Sequence, residues 1–204
     1  GIGGGIVIVP LLTFTFVAQQ FPETYILHLA LGTSLATIIV TSISSFRAHH
    51  ARGSVNWSAV KGLAPGILLG TFMGTWVAAQ LSSKFLSVFF ACFIYYVAIQ
   101  MLLNIAPSPS RSLPGKAAMF GVGGVIGGIS SLVGIGGGTM TVPFLGWCNQ
   151  PIHTAVGTSA AVGLPIAVAG ASGYLLNGFF VEGLPSGSLG FVYLPALLGV
   201  ALVS

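Results

Sequence analysis

Acidic residues are nearly missing from this chain of 204 residues: it has no Asp, and its two Glu are Glu23 and Glu182. A paired-carboxylate enzyme, an acid-rich metal site and a carboxylate proton relay all lack their raw material. Charge of either sign is scarce, at 4% of residues, and six Lys and Arg set a formal net charge of +4. The two Cys, Cys92 and Cys148, offer neither a disulfide framework nor metal-type spacing.

What is present is apolar. Hydrophobic residues make up 54% of the chain and the mean hydropathy is +1.00, well outside the range of a soluble domain. The lipid interior leaves backbone groups no water to bond, so the chain reads as an all-α integral membrane protein, a polytopic helical bundle in the bilayer. Its length supplies about seven apolar segments at roughly 20 residues per span. The basic stretch Arg47 to Gly53, with Arg52, reads as a loop on the cytoplasmic side after a segment over 24–46. The adjacent pair His49 and His50 has no acid or thiol nearby in sequence, so no metal site and no cofactor is expected, and no nucleic-acid partner either.

Glycine is abundant, at 30 residues, and it is patterned. Gly134-Ile-Gly-Gly-Gly138 is followed five residues later by Pro143, and Gly1-Ile-Gly-Gly-Gly5 is followed by Pro10 at the same spacing. Each cluster precedes a second shared signature, Gly32-Thr33-Ser34 and Gly157-Thr158-Ser159, with His28 and His153 each four residues ahead of it. Two motifs repeated in the same order mark a duplication: a first repeat over 1–106, a Pro- and Ser-rich linker over 107–116 and a second repeat over 117–204. The chain starts without Met and stops inside an apolar run, so each repeat is expected to be incomplete. The connection after the Gly-Thr-Ser segment is basic in the first repeat and lacks Lys and Arg in the second, which favours inverted repeats if each glycine-broken segment is re-entrant, the repeats being parallel if those segments cross fully. Pro195 aligns with Pro65, and Gly66, Gly70 and Gly74 at four-residue spacing predict a close helix crossing.

Four glycines in five residues destabilise an ordinary span, so each cluster predicts a broken or re-entrant helix. A break at membrane depth is tolerated where the freed backbone faces protein or a polar cavity, and a restarted helix aims its N–H groups and positive dipole end there. The candidate substrate-binding residues are therefore the amides of Gly4, Gly5, Gly137, Gly138 and Thr139, with the hydroxyls of Thr33, Ser34, Thr158 and Ser159. His28 and His153 are candidates for proton coupling.

This combination of motifs resembles the TauE/SafE family of sulfite and organosulfonate exporters, over most of the chain. The resemblance implies a permease of the bacterial inner membrane for a small sulfur oxyanion or sulfonate, such as sulfite, sulfoacetate or isethionate, built from about eight helices. Two other readings stay open. An anion channel would use the same polar backbone. Gly170-Ala171-Ser172-Gly173 also fits the nucleophile pattern of an intramembrane serine hydrolase, if a His nitrogen lies within about 3 Å of Ser172 Oγ.

Overall fold

The computed structural model describes residues 4–103 and 112–203. Gly1, Ile2 and Gly3 of the first glycine cluster lie outside that range, as does half of the expected linker, 107–111. The described chain runs α1 (Gly5–Ala18), α2 (Ile26–Ala51), α3 (Trp57–Gln80), α4 (Ser83–Leu102), α5 (Lys116–Val133), α6 (Gly138–Trp147) and α7 (Ile152–Gly178). A small hairpin of β1 (Ser188–Leu189) and β2 (Val192–Tyr193) leads into α8 (Leu194–Val203). Helices α2, α3, α4, α5 and α7 are long and apolar enough to cross a bilayer. Their outward faces carry bare aromatic and apolar side chains, such as Trp76 and Tyr95, which lipid accepts and water does not. The all-α polytopic membrane architecture is thus present.

Close contacts at small residues fix the helix directions. Ser42 stands beside Gly163 and Leu35 beside Gly170, so α2 and α7 pack antiparallel at the centre. Ser54 stands beside Gly157 and Thr75 beside Gly173, so α3 runs parallel to α7. Helix α3 also runs parallel to α5, with Gly66 against Phe120 and Gly124, and Gly74 against Gly128. A side chain at Gly70 would overlap the Gly124 backbone, because here the two helices touch main chain to main chain. The glycine ladder of α3 therefore serves the helix crossing anticipated for it.

The apolar run from 117 to 147 is broken at the glycine cluster. Helix α5 closes on Gly134 at φ 69° and α6 opens from Gly137 at φ 73°, left-handed backbone that glycine adopts without a Cβ penalty. Helix α5 spans about 27 Å at 1.5 Å per residue, nearly the width of the hydrocarbon core. Because α7 starts at the end where α3 and α5 start, α6 runs back toward that end, and α5 and α6 form a re-entrant pair.

The break leaves its carbonyls and amides in different situations. Ser130 O accepts from the amides of Gly134 at 2.8 Å and Ile135 at 3.2 Å. Ser131 O accepts from Tyr174 Oη at 2.9 Å, and Gly134 O accepts from Ser34 Oγ at 2.9 Å. The amides of Gly136, Gly137, Gly138 and Thr139 meet no acceptor among the described residues. Four successive amides without an acceptor among the described residues make the break rich in open donors.

Three expectations are corrected. Helix α2 continues through the basic stretch to Ala51, where a loop was expected from Arg47. Its stop signal is Gly53 at φ 66°, whose amide bonds His50 O at 3.0 Å while Ser54 N bonds His49 O at 3.2 Å, a left-handed glycine cap. The expected segment from 188 begins instead with the β hairpin, because Gly187 and Gly190, at φ 93° and 56°, turn the chain before α8. Pro195 is therefore the second residue of α8, whereas Pro65 is the ninth of α3, so the two do not correspond.

Candidate functional site

Helices α1 and α6 each start from a glycine cluster and run in opposite directions. Val9 of α1 lies near Leu31, and Phe16 further along stacks on Phe21 at 5.0 Å beside Tyr193, so α1 climbs toward the start of α2 while α6 descends. Their N-termini meet at the middle of the bundle. A Cβ placed on Gly5 would lie 3.0 Å from Ile135 Cα and overlap the Gly134 carbonyl, so only glycine allows the two clusters to touch.

Beside this junction is a cavity of about 210 Å³, lined by Gly4, Gly136, Gly138, Ser42, Ser159 and His49 among others. It is smaller than the roughly 300–1,000 Å³ of pockets that take drug-sized molecules, which limits an occupant to a few heavy atoms. Among the described residues its lining includes no Lys, Arg, Asp or Glu. Each helix N-terminus contributes the equivalent of roughly half a positive charge, so two facing one space supply about one unit from the backbone alone.

The residues singled out by sequence divide into three groups. Gly4, Gly138 and Ser159 line the cavity, and Ser159 Oγ has no hydrogen-bond partner among the described residues. Gly137 is the α6 N-cap one residue before Gly138, half-buried Thr139 is the second residue of α6, and buried Gly5 forms the contact with the other cluster.

Thr33, Ser34 and Thr158 are 0% exposed and hold the scaffold instead. Ser34 braces the break through Gly134 O. Thr33 Oγ1 accepts from Tyr193 N at 2.9 Å, immediately before α8, and Thr158 Oγ1 accepts from Asn56 N at 2.9 Å, immediately before α3. The glycines ahead of them do matching work: Gly32 packs on the Phe191 carbonyl and Gly157 on the Ser54 carbonyl. Each Gly-Thr-Ser motif thus anchors the start of a helix belonging to the other half of the chain.

The two histidines preceding these motifs differ from each other. His28 is buried, with Nε2 3.0 Å from Ala78 O and its ring tilted against Phe191 at 5.1 Å, at the end of α2 away from the cavity. His153 is exposed on the first turn of α7. Ser172 is exposed on α7, and no His nitrogen bonds it among the described residues. Nor do three or more His, Cys, Asp or Glu gather among those residues to hold a metal ion.

Sequence reasoning missed Ser42 and His49. Both lie on the cavity face of α2 with Ile38 and Ser45, at the spacing of one helical stripe, and the stripe is visible only if α2 is carried past residue 46. Gly53 as a C-cap was the available signal.

The family model described as "Sulfite exporter TauE/SafE" matches residues 1–204. The chain belongs to the TauE/SafE family. Among its relatives is a probable membrane transporter protein of Haemophilus influenzae, 39% identical over all of this chain and 78% of that protein. Another, of Methanocaldococcus jannaschii, is 32% identical over 99% of this chain and 74% of its own length. A third, YunE of Bacillus subtilis, is 27% identical over 87% and 72%. No solved structure matches the chain at a significant level. Membership of the TauE/SafE family and these relatives make the chain a membrane transporter.

Proposed function

We propose that this TauE/SafE protein is a permease for a small anion, sulfite or an organosulfonate, held between the N-termini of α1 and α6. The observation that carries the reading is the cavity where both glycine clusters meet, bordered by open backbone amides and hydroxyls with no fixed acid. The anion replaces water at these donors and is countered by two helix dipoles, a mode that needs no lysine or arginine.

The antiparallel pairing of α2 with α7, the two helices that carry Gly-Thr-Ser, supports inverted repeats related by an axis in the membrane plane. Arg47, Arg52, Lys61 and Lys116 lie at or near the ends of α2, α3 and α5 that share one side, and Lys84 begins α4 on the other. On the positive-inside rule the basic side is cytoplasmic, and in a bacterium the membrane is the inner one. The cavity then opens toward the cytoplasm past Ser45 and His49.

A second cavity of about 570 Å³ at the opposite end, with Gln20, Glu23 and Lys84 in its wall, shares no lining residue with the first among the described residues. Buried Val9 and Leu31 pack around Gly134 between them. A plug of apolar side chains favours an alternating carrier over an open channel.

The test is counterflow in proteoliposomes against sulfite, sulfate, isethionate and acetate, with Gly138→Val beside the wild type. Gly138 lines the cavity and has helical backbone without positive φ, so a larger residue there introduces no left-handed strain. Transport of sulfite or isethionate that Gly138→Val abolishes supports the reading. Flux of either anion unchanged by the substitution contradicts it.

A further inference from the structure

His49 occupies the last turn of α2, half-buried, in the wall of the cavity that Gly4, Gly138 and Ser159 also line. Its ring is oriented by a buried neighbour, Ser54. Ser54 Oγ lies 3.0 Å from His49 O and 3.3 Å from His49 Nδ1, so this one hydroxyl fixes the orientation of the ring. Ser54 is in turn held by Gly157, whose Cα packs on the Ser54 carbonyl. With Nδ1 turned to Ser54, Nε2 is the ring nitrogen without a partner among the described residues.

Among the described residues, the charged groups around this ring leave it without a protein counter-ion. On α2, Arg47 and the capping Arg52 are exposed, and His50 stacks on Phe46 at 5.6 Å and edges Trp57 at 5.6 Å. Helix α3 contributes Lys61, and α7 contributes His153 on its exposed first turn. Helices α1 and α6 carry no ionisable acid or base. Of the two carboxylates in the chain, Glu23 precedes α2 and Glu182 follows α7, both at the far end of these long helices.

Resting on the anion-site reading above, we infer that His49 is the proton-coupling residue of this transporter: binding of the anion is accompanied by protonation of His49 Nε2, so that anion and proton are carried together. The imidazolium supplies a full positive charge beside a cavity otherwise lined by neutral groups. The α2 C-terminus, with its negative dipole end, favours that cation further. Reciprocity then sets the sign. An anion that binds protonated His49 better raises the affinity of His49 for a proton, so anion affinity falls as pH rises through the range where histidine titrates. In the limiting regime the loss is about tenfold per pH unit, one proton per anion.

The experiment uses isethionate, a sulfonate whose own charge does not change over this range, with the purified protein in nanodiscs. Affinity is measured by calorimetry at about pH 5.5 and about pH 8, either side of the histidine range, in buffers of different ionisation enthalpy that report proton uptake. The wild type is expected to bind at least tenfold more weakly at the higher pH and to take up close to one proton per anion at intermediate pH. His49→Gln is expected to bind weakly at both pH values, and His49→Arg, permanently charged, to bind without pH dependence. Wild-type-like pH dependence in His49→Gln, or binding by the wild type without proton uptake, overturns the assignment while leaving the anion site standing. Should His49→Gln fail to fold, the wild-type proton count and His49→Arg decide alone. Absence of sulfite as well as isethionate binding at every pH overturns the anion-site reading and this inference with it.

Discussion

Ser34 and Ser159 hold the same place in the two Gly-Thr-Ser motifs, and the structure gives their hydroxyls different tasks. Ser34 Oγ donates at 2.9 Å to Gly134 O, with Ser34 0% exposed and Gly134 buried. In Ser34→Ala that carbonyl has no water to turn to. A buried acceptor left unmet costs about 1–3 kcal/mol in general, and membrane interiors fall at the low end, so a loss of about 1–2 kcal/mol is expected. This is roughly a five- to thirtyfold fall in the folded-to-unfolded ratio. Ser159 Oγ, which lines the cavity, is not committed to the described scaffold. Ser159→Ala should stay within about 0.5 kcal/mol of wild-type stability. It should instead lose a hydrogen bond to a charged ligand, about 1.5–3 kcal/mol, or roughly ten- to hundredfold in Kd. Reversible unfolding in mixed micelles gives the first quantity and isethionate titration the second. Equal destabilisation of both variants, with binding unaffected in Ser159→Ala, would refute the division of labour between the two serines.

Other substitutions probe the scaffold. Thr33→Val and Thr158→Val each strip an acceptor from a backbone amide, Tyr193 N or Asn56 N, and should destabilise by similar amounts, about 1–2 kcal/mol, in the same unfolding assay. Gly70→Leu places a side chain against the Gly124 backbone and should separate α3 from α5, read as loss of folded protein in fluorescence-detected size exclusion. Gly137→Ala must hold a φ of 73° with a Cβ against Ile166, so its stability should fall by at least about 1 kcal/mol in the same unfolding assay.

The parts of this structure legible in sequence are those where glycine alone satisfies the geometry. The break between Gly134 and Gly137 follows from conformational freedom, and the α3 and α5 crossing from the spacing of Gly66, Gly70 and Gly74. Hydroxyl roles were not legible. Repetition of Gly-Thr-Ser says that the motif does something twice, but the partners of Thr33 and Thr158 are 160 and 102 residues away, and only the folded chain brings them together. His49 was hidden by an early end to α2: charge suggested a loop at Arg47, while the cap at Gly53 kept the stretch helical. The hairpin before α8 carried no alternating pattern, since each strand is two residues long.

The central claim is that an anion sits where the N-termini of α1 and α6 meet. A crystal structure with bromomethanesulfonate tests it directly, because anomalous scattering from bromine marks the ligand independently of the protein. The expected result is a peak in the cavity between Gly4 and Gly138, with sulfonate oxygens within about 3 Å of the Gly138 and Thr139 amides. A well-occupied peak elsewhere in the protein, with that cavity holding only water, would contradict it.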